Sequence, residues 1–139
     1  MNSLRPRVIP CLQFSEGELL KTRRFKDPLY LGDPINAVKI FNDLECDELV
    51  VVDIRATLQK REPDYSMIEE FASEAFMPLA YGGGISSLEQ IHRILSIGIE
   101  KVVISTGDRR QAHIRSGGHI RGPERRGVGG RSKILARTT

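Results

Sequence analysis

The sequence predicts an α/β fold, a parallel sheet with helical crossovers, confined to residues 1–106. Three observations predict it: short apolar runs recur along the chain, segments with apolar residues at helical spacing lie between them, and helix-start signals stand at the junctions. The resulting order, β-α-β-α-β-α-β, is that of a parallel sheet whose strands are joined by helices.

The elements follow in order. Val8-Ile9-Pro10-Cys11-Leu12 reads as the first strand, with an internal proline that a central strand normally avoids. Leu19-Leu20-Lys21-Thr22 reads as an extended piece within a long loop, after a turn at Glu16-Gly17. Asp33-Pro34 is a helix start, a capping carboxylate followed by proline at the first helical position, and Ala37, Ile40, Phe41 and Leu44 supply the apolar face. Leu49-Val50-Val51-Val52-Asp53 is apolar without alternation, as befits a strand covered on both faces. Pro63-Asp64 opens the next helix, which carries Ile68, Phe71, Ala72 and Ala75 on one face. Met77–Tyr81 is a strand that runs into Gly82-Gly83-Gly84. Ser86 and Glu89 have capping-box spacing, Leu88, Ile91, Ile94 and Leu95 form a stripe, and Gly98 ends the helix. Lys101–Ser105 is the fourth strand of this series.

Charge divides the chain at the same place. Residues 107–139 hold eight Arg and one Lys against one Asp and one Glu, a net +7. The whole chain is +3, so residues 1–106 carry −4 and the basic total is not evidence that the body binds nucleic acid. After Thr106 neither apolar period persists and Gly and Arg dominate, which predicts a disordered basic tail over 107–139. The two cysteines, Cys11 and Cys46, lack CxxC or zinc-ligand spacing and read as buried, reduced thiols of a cytoplasmic protein. No apolar run approaches the ~20 residues of a membrane span, and no signal peptide is evident.

In a parallel α/β sheet, functional residues sit just beyond the C-terminal ends of the strands. That rule selects Gln13, Asp53, Gly82-Gly83-Gly84 and Ser105-Thr106. Glycines between a strand and a capped helix let backbone N–H groups approach a phosphate, or simply form a tight turn. Ser105 and Thr106 either complete that anion site or cap the next helix. Asp53 is a general base, a hydroxyl ligand or half of a structural ion pair. Lys21 faces the same end or only water, as does the basic cluster Arg23, Arg24 and Lys26. His92 lies on a polar helix face and His113 and His119 in the tail. No nucleophile–base pair, metal constellation or cofactor motif is present in the sequence.

Taken in order, Arg7–Leu12, Gly32-Asp33-Pro34, Asp47-Glu48-Leu49 with Asp53-Ile54, Tyr81–Ile85 and Lys101–Thr106 resemble the cyclase subunit (HisF family) of imidazole glycerol phosphate synthase. The resemblance spans nearly all of residues 5–106. It implies the N-terminal half of a (β/α)8 barrel, about four βα units, since a full barrel needs roughly 200 residues or more. It implies a lyase of histidine biosynthesis that takes ammonia from a partner glutaminase and closes an imidazole ring on a bis-phosphorylated ribulosyl substrate. By position, Gly82, Gly83, Gly84, Ser105 and Thr106 resemble a phosphate site, although the family usually has Asn at the position of Ser105. Lys21 and Asp53 resemble active-site positions. Arg7, Glu48 and Lys101 resemble charges that gate the ammonia entrance, and Glu100 an acidic position near the glutaminase interface.

Gln13 departs from the family, which has its first catalytic aspartate there. An amide does not shuttle protons at neutral pH, which puts acid–base work at this position in doubt. The strings Phe25–Pro28 and Gly32–Asn42 resemble paralogues that stand beside an amidotransferase in bacterial surface-sugar amidation, a subgroup that commonly lacks the same aspartate. Residues 107–139 are expected to be an out-of-frame tail: freely back-translated and read one base later, the stretch around Gly118–Arg131 can resemble the family's approach to its fifth strand. A half-barrel so ended is expected to be inactive alone and to self-associate through open edges. Two non-enzymatic readings compete. One is a scaffold that only docks a glutaminase. The other is an RNA-binding module using the Arg/Gly tail, which lacks aromatic residues for stacking.

Overall fold

The computed structural model describes residues 5–23, 26–105 and 132–137. Seven strands form one sheet in the order β3-β2-β1-β4-β5-β6-β7. They are β1 (Cys11–Ser15), β2 (Glu18–Arg23), β3 (Lys26–Gly32), β4 (Leu49–Asp53), β5 (Leu79–Gly82), β6 (Lys101–Ser105) and β7 (Ser132–Arg137). Helices α1 (Pro34–Asp43), α2 (Tyr65–Glu74) and α3 (Leu88–Ile97) complete the described elements. The central four strands β1-β4-β5-β6 are parallel, while β2, β3 and β7 join antiparallel.

The helices start where the sequence places them. The Asp33 carboxylate accepts from Ile35 N at 3.0 Å with Pro34 in the first turn, and the Asp64 carboxylate accepts from Met67 N at 3.1 Å. Each satisfies an N–H that has no partner within the helix. The box on α3 is one residue later than expected: Ser87 caps, and Gln90, not Glu89, closes it. The Gln90 side chain accepts from Ser86 N at 2.7 Å and Ser87 N at 3.2 Å. This register turns Ile91 and Ile94 into the core and leaves Glu89 in water.

Two other expectations are corrected. The first strand is Cys11–Ser15, not Val8–Leu12. Burial selects the shift, because Phe14 is fully buried while Val8 and Ile9 are exposed and Pro10 has no N–H for a ladder. The long loop contains a second strand, β3, which the internal Pro28 obscured; proline is tolerated because β3 is an edge. Of the tail, the described residues 132–137 form β7, antiparallel to β6. Thr106 and residues 107–131 lie outside the described residues.

The core lies between the sheet and the three helices. Phe14, Val51, Tyr81, Val102 and Ile104 face Val38, Ile68, Phe71, Ile91 and Ile94. The Phe14 ring meets Phe71 edge-on at 5.2 Å between centroids. Strand alternation puts Cys11, Gln13, Val50, Val52 and Val103 on the opposite face, where the last four are half-buried; Cys11, expected to be buried, is exposed there, and Cys46 in the loop before β4 is only half-buried.

Candidate functional site

The register aligns the residues selected at the strand ends. Gln13 pairs with Val52, Val52 with Gly82 and Gly82 with Val103, so one row crosses four strands. Gln13 lies on the face away from the helices, where its side-chain oxygen accepts from Thr22 Oγ1 at 3.4 Å. Asp53 pairs with Phe14 instead, one pleat away. Gln13 and Asp53 are therefore on opposite faces of the sheet. Lys21 is exposed, and none of the ion pairs among the described residues joins it to Asp53. Ser105 ends β6, and Thr106, its neighbour in the sequence reading, is outside the described residues.

Asp53 sits at the centre of a closed network. Its carboxylate accepts from Arg55 N and Ala56 N, both at 3.1 Å, and pairs with Arg61 Nη1 at 3.2 Å. Arg61 Nη2 also donates to Ser15 Oγ at 3.1 Å, and Arg61 Nε to Gln59 Oε1 at 2.6 Å. Asp53 and Ser15 are buried, and a buried carboxylate requires such donors. Of the roles open to Asp53, this geometry provides the ion pair.

The glycine turn packs onto the loop that carries Arg61. A Cβ on Gly83 would lie 2.6 Å from the Asp53 carbonyl oxygen, and one on Gly84 2.6 Å from the Arg61 carbonyl oxygen. Both glycines also have positive φ, so two independent constraints exclude a side chain there. Gly84 N donates to Thr57 Oγ1 at 3.4 Å, and the Tyr81 hydroxyl donates to the Gly83 carbonyl at 3.0 Å. Burial, helped by Asp53, pushes the Tyr81 phenol well above its usual pKa, so it remains a neutral donor.

At the other end of the strands the predicted gate charges converge. Arg7 Nη2 lies 2.9 Å from Glu48 Oε1, Lys101 Nζ bonds the same oxygen, and Lys101 Nζ is 3.9 Å from Glu100 Oε1. The hydrogen bond from Lys101 and the pairing with Arg7 hold the Glu48 carboxyl below its ordinary pKa, against the opposing effect of burial. Lys101 reaches Glu48 across β5, where its register partner is the small Ala80.

The residues missed in the sequence are Arg61, Ser15, Thr57 and Tyr81. Arg61 follows Asp53 by eight positions in an irregular loop, where no periodicity marks a contact. The Tyr81 hydroxyl is hidden because Tyr81 reads as an ordinary strand residue, and Ser15 because it falls beyond the strand read at Val8–Leu12.

A family model described as histidine biosynthesis protein matches residues 7–117. A Leptospira borgpetersenii protein, provisionally named as the HisF subunit of imidazole glycerol phosphate synthase, is 54% identical over 103 residues, covering 74% of this chain and 41% of that protein. A Vibrio vulnificus protein, also provisionally named as a subunit of this synthase, is 56% identical over 74% of this chain and 40% of its own length. The imidazole glycerol phosphate synthase subunit HisF of Streptococcus sanguinis is 37% identical over 74% of this chain and 41% of its own. The chain thus spans about 40% of the length of these relatives. No helix among the described residues is long and apolar enough to cross a membrane.

Proposed function

The chain belongs to the histidine biosynthesis protein family, and from that premise we propose that it serves the cyclase side of an imidazole glycerol phosphate synthase-type reaction. In this reading the glycine turn 82–84, with Ser105 and Thr106, receives a phosphate of a small-molecule substrate. Arg7, Glu48 and Lys101 form the entrance for ammonia delivered by a glutaminase partner, with Glu100 at the interface. The observation that carries the reading is the convergence of Arg7 and Lys101 on one Glu48 oxygen at the N-terminal ends of the strands. Three charges from separate parts of the chain, meeting on one face, suit a gate opposite the substrate end.

The direct test is calorimetric titration with the glutaminase subunit of a homologous synthase. Binding that weakens in Glu100→Lys supports the reading. No binding by the unsubstituted chain removes the partner from it.

A second reading takes the chain as the ammonia-channelling partner of an amidotransferase in surface-sugar amidation. Gln13 favours it: the amide accepts from Thr22 and offers no titratable group for acid–base work. Gene neighbourhood separates the two: a coding sequence set among histidine-pathway genes argues for the first reading, and one beside an amidotransferase among surface-sugar genes argues for the second. The shifted-frame reading of residues 107–139 is tested by genomic DNA across that region, and a next reading frame unlike the family ends it.

A further inference from the structure

Arg61 belongs to none of the motifs in the sequence, yet it joins three elements at the C-terminal ends of the strands. We propose that Arg61 is a positioning residue of the candidate phosphate site, its guanidinium locking Asp53 and Ser15 while its main chain fixes the glycine turn. The proposal rests on reading that turn as a phosphate site.

The geometry is that of a clamp. Arg61 leaves the irregular loop, and its guanidinium returns to β4 at Asp53 (3.2 Å) and to β1 at Ser15 (3.1 Å). Its backbone N–H is bonded to the Ala56 carbonyl at 2.8 Å, which closes the loop on itself. The carbonyl of the same residue is the atom that a Gly84 Cβ would strike. Ala56, whose methyl is the next nearest atom to that Cβ, is itself held by Asp53 through its N–H. The position of Gly84 is thus set by a surface that the Asp53–Arg61 pair shapes. A planar fork with five donors can serve Asp53, Ser15 and Gln59 together, whereas an ammonium cannot reach all three in one plane. Both acceptors on the strands are buried, so the clamp is built into the core edge and is not a surface pair.

The test titrates the full chain with inorganic phosphate and follows the Gly83 and Gly84 amides by NMR. Arg61→Gln is expected to weaken phosphate roughly tenfold, the low end of what loss of an orienting partner costs at metal sites, and Arg61→Lys by less, because the ammonium keeps the charge but not the fork. Asp53→Asn should match Arg61→Gln, and the double variant should be no worse than either single, because both break one clamp. Affinities are compared at a temperature where circular dichroism shows each variant folded, so that lost stability does not enter. Unchanged affinity in Arg61→Gln, or additive losses in the double variant, overturns the proposal. If Arg61→Gln does not fold, Arg61→Lys decides, and unchanged phosphate affinity there overturns it equally. No phosphate-dependent shift in the unsubstituted chain overturns the phosphate reading itself, and the proposal with it.

Discussion

Lys101 opens β6 and Glu48 immediately precedes β4, two strands that are not neighbours, and their ion pair passes over β5 to join them. The pair ties β6 to β4 at the end where backbone pairing begins, and Arg7 adds the segment before β1. Glu48 is largely sequestered from solvent, so this cluster has more effect on stability than a solvated surface pair would.

The sign of its pH dependence follows from the depressed Glu48 pKa. A carboxyl whose folded pKa lies below its ordinary value of 4.5 stabilises the fold above that pH and loses the contribution as pH falls through the folded value. Glu48→Gln should therefore cost about 2 kcal/mol near neutral pH, within the range for loss of a hydrogen bond to a charged group. The gap from the unsubstituted chain should narrow in acid. Urea denaturation at a series of pH values checks this, and a gap that stays constant down to pH 3 would contradict it.

Gly84 and Gly32 separate steric exclusion from backbone strain. Both have positive φ, but a Cβ at Gly32 would meet nothing within 4 Å, while at Gly84 it would lie 2.6 Å from the Arg61 carbonyl. Gly32→Ala should cost about 1–2 kcal/mol for the left-handed backbone alone. Gly84→Ala should cost about 3 kcal/mol or more, because a backbone atom must also move. Equal losses in thermal denaturation would mean that the loop yields freely around the turn.

The parts legible in the sequence were those decided locally. Asp33, Asp64 and Gly98 punctuate helices through bonds within a few residues, and β4 and β6 carry uninterrupted apolar runs, so both strands fall where the sequence put them. Strand β1 was misplaced because its limits depend on Phe14 meeting Phe71, fifty-seven positions away in the chain. Asp53 was found because it ends a strand, but its partner was not: the Asp53–Arg61 pairing is set by how an irregular loop folds back. Arg7, Glu48 and Lys101 became candidates only through family resemblance, since nothing in their spacing announces that they meet.

The cap of α3 offers a sharp test of register. Ser87 Oγ accepts from Gln90 N at 3.3 Å, whereas the Ser86 hydroxyl only donates to the Gln90 side chain. Ser87→Ala should cost about 1 kcal/mol, the usual loss for an N-cap serine. Ser86→Ala should cost about half that or less, since the Ser86 N–H keeps its bond to Gln90. The reverse order in chemical denaturation would place the box at Ser86 and Glu89 after all.

Self-association is the remaining expectation, and the sheet locates it. Strand β3 is an outer strand, with Leu29, Tyr30 and Leu31 exposed at 61%, 60% and 52%, a run of apolar surface beside an edge with open backbone groups. The sheet face away from the helices adds half-buried Val50, Val52 and Val103. Covering either surface removes apolar area from water, and pairing at the edge also satisfies ladder groups. Sedimentation velocity at tens of micromolar should show species larger than the monomer, within the range where exposed edges associate. Leu29→Lys with Leu31→Lys puts charge on the edge and should shift the distribution toward monomer if β3 is the contact. A monomer at every concentration in the unsubstituted chain would show that Pro28 and the irregular pairing of β3 with β2 already block edge pairing. Oligomers indifferent to both lysines would move the contact to the valine face.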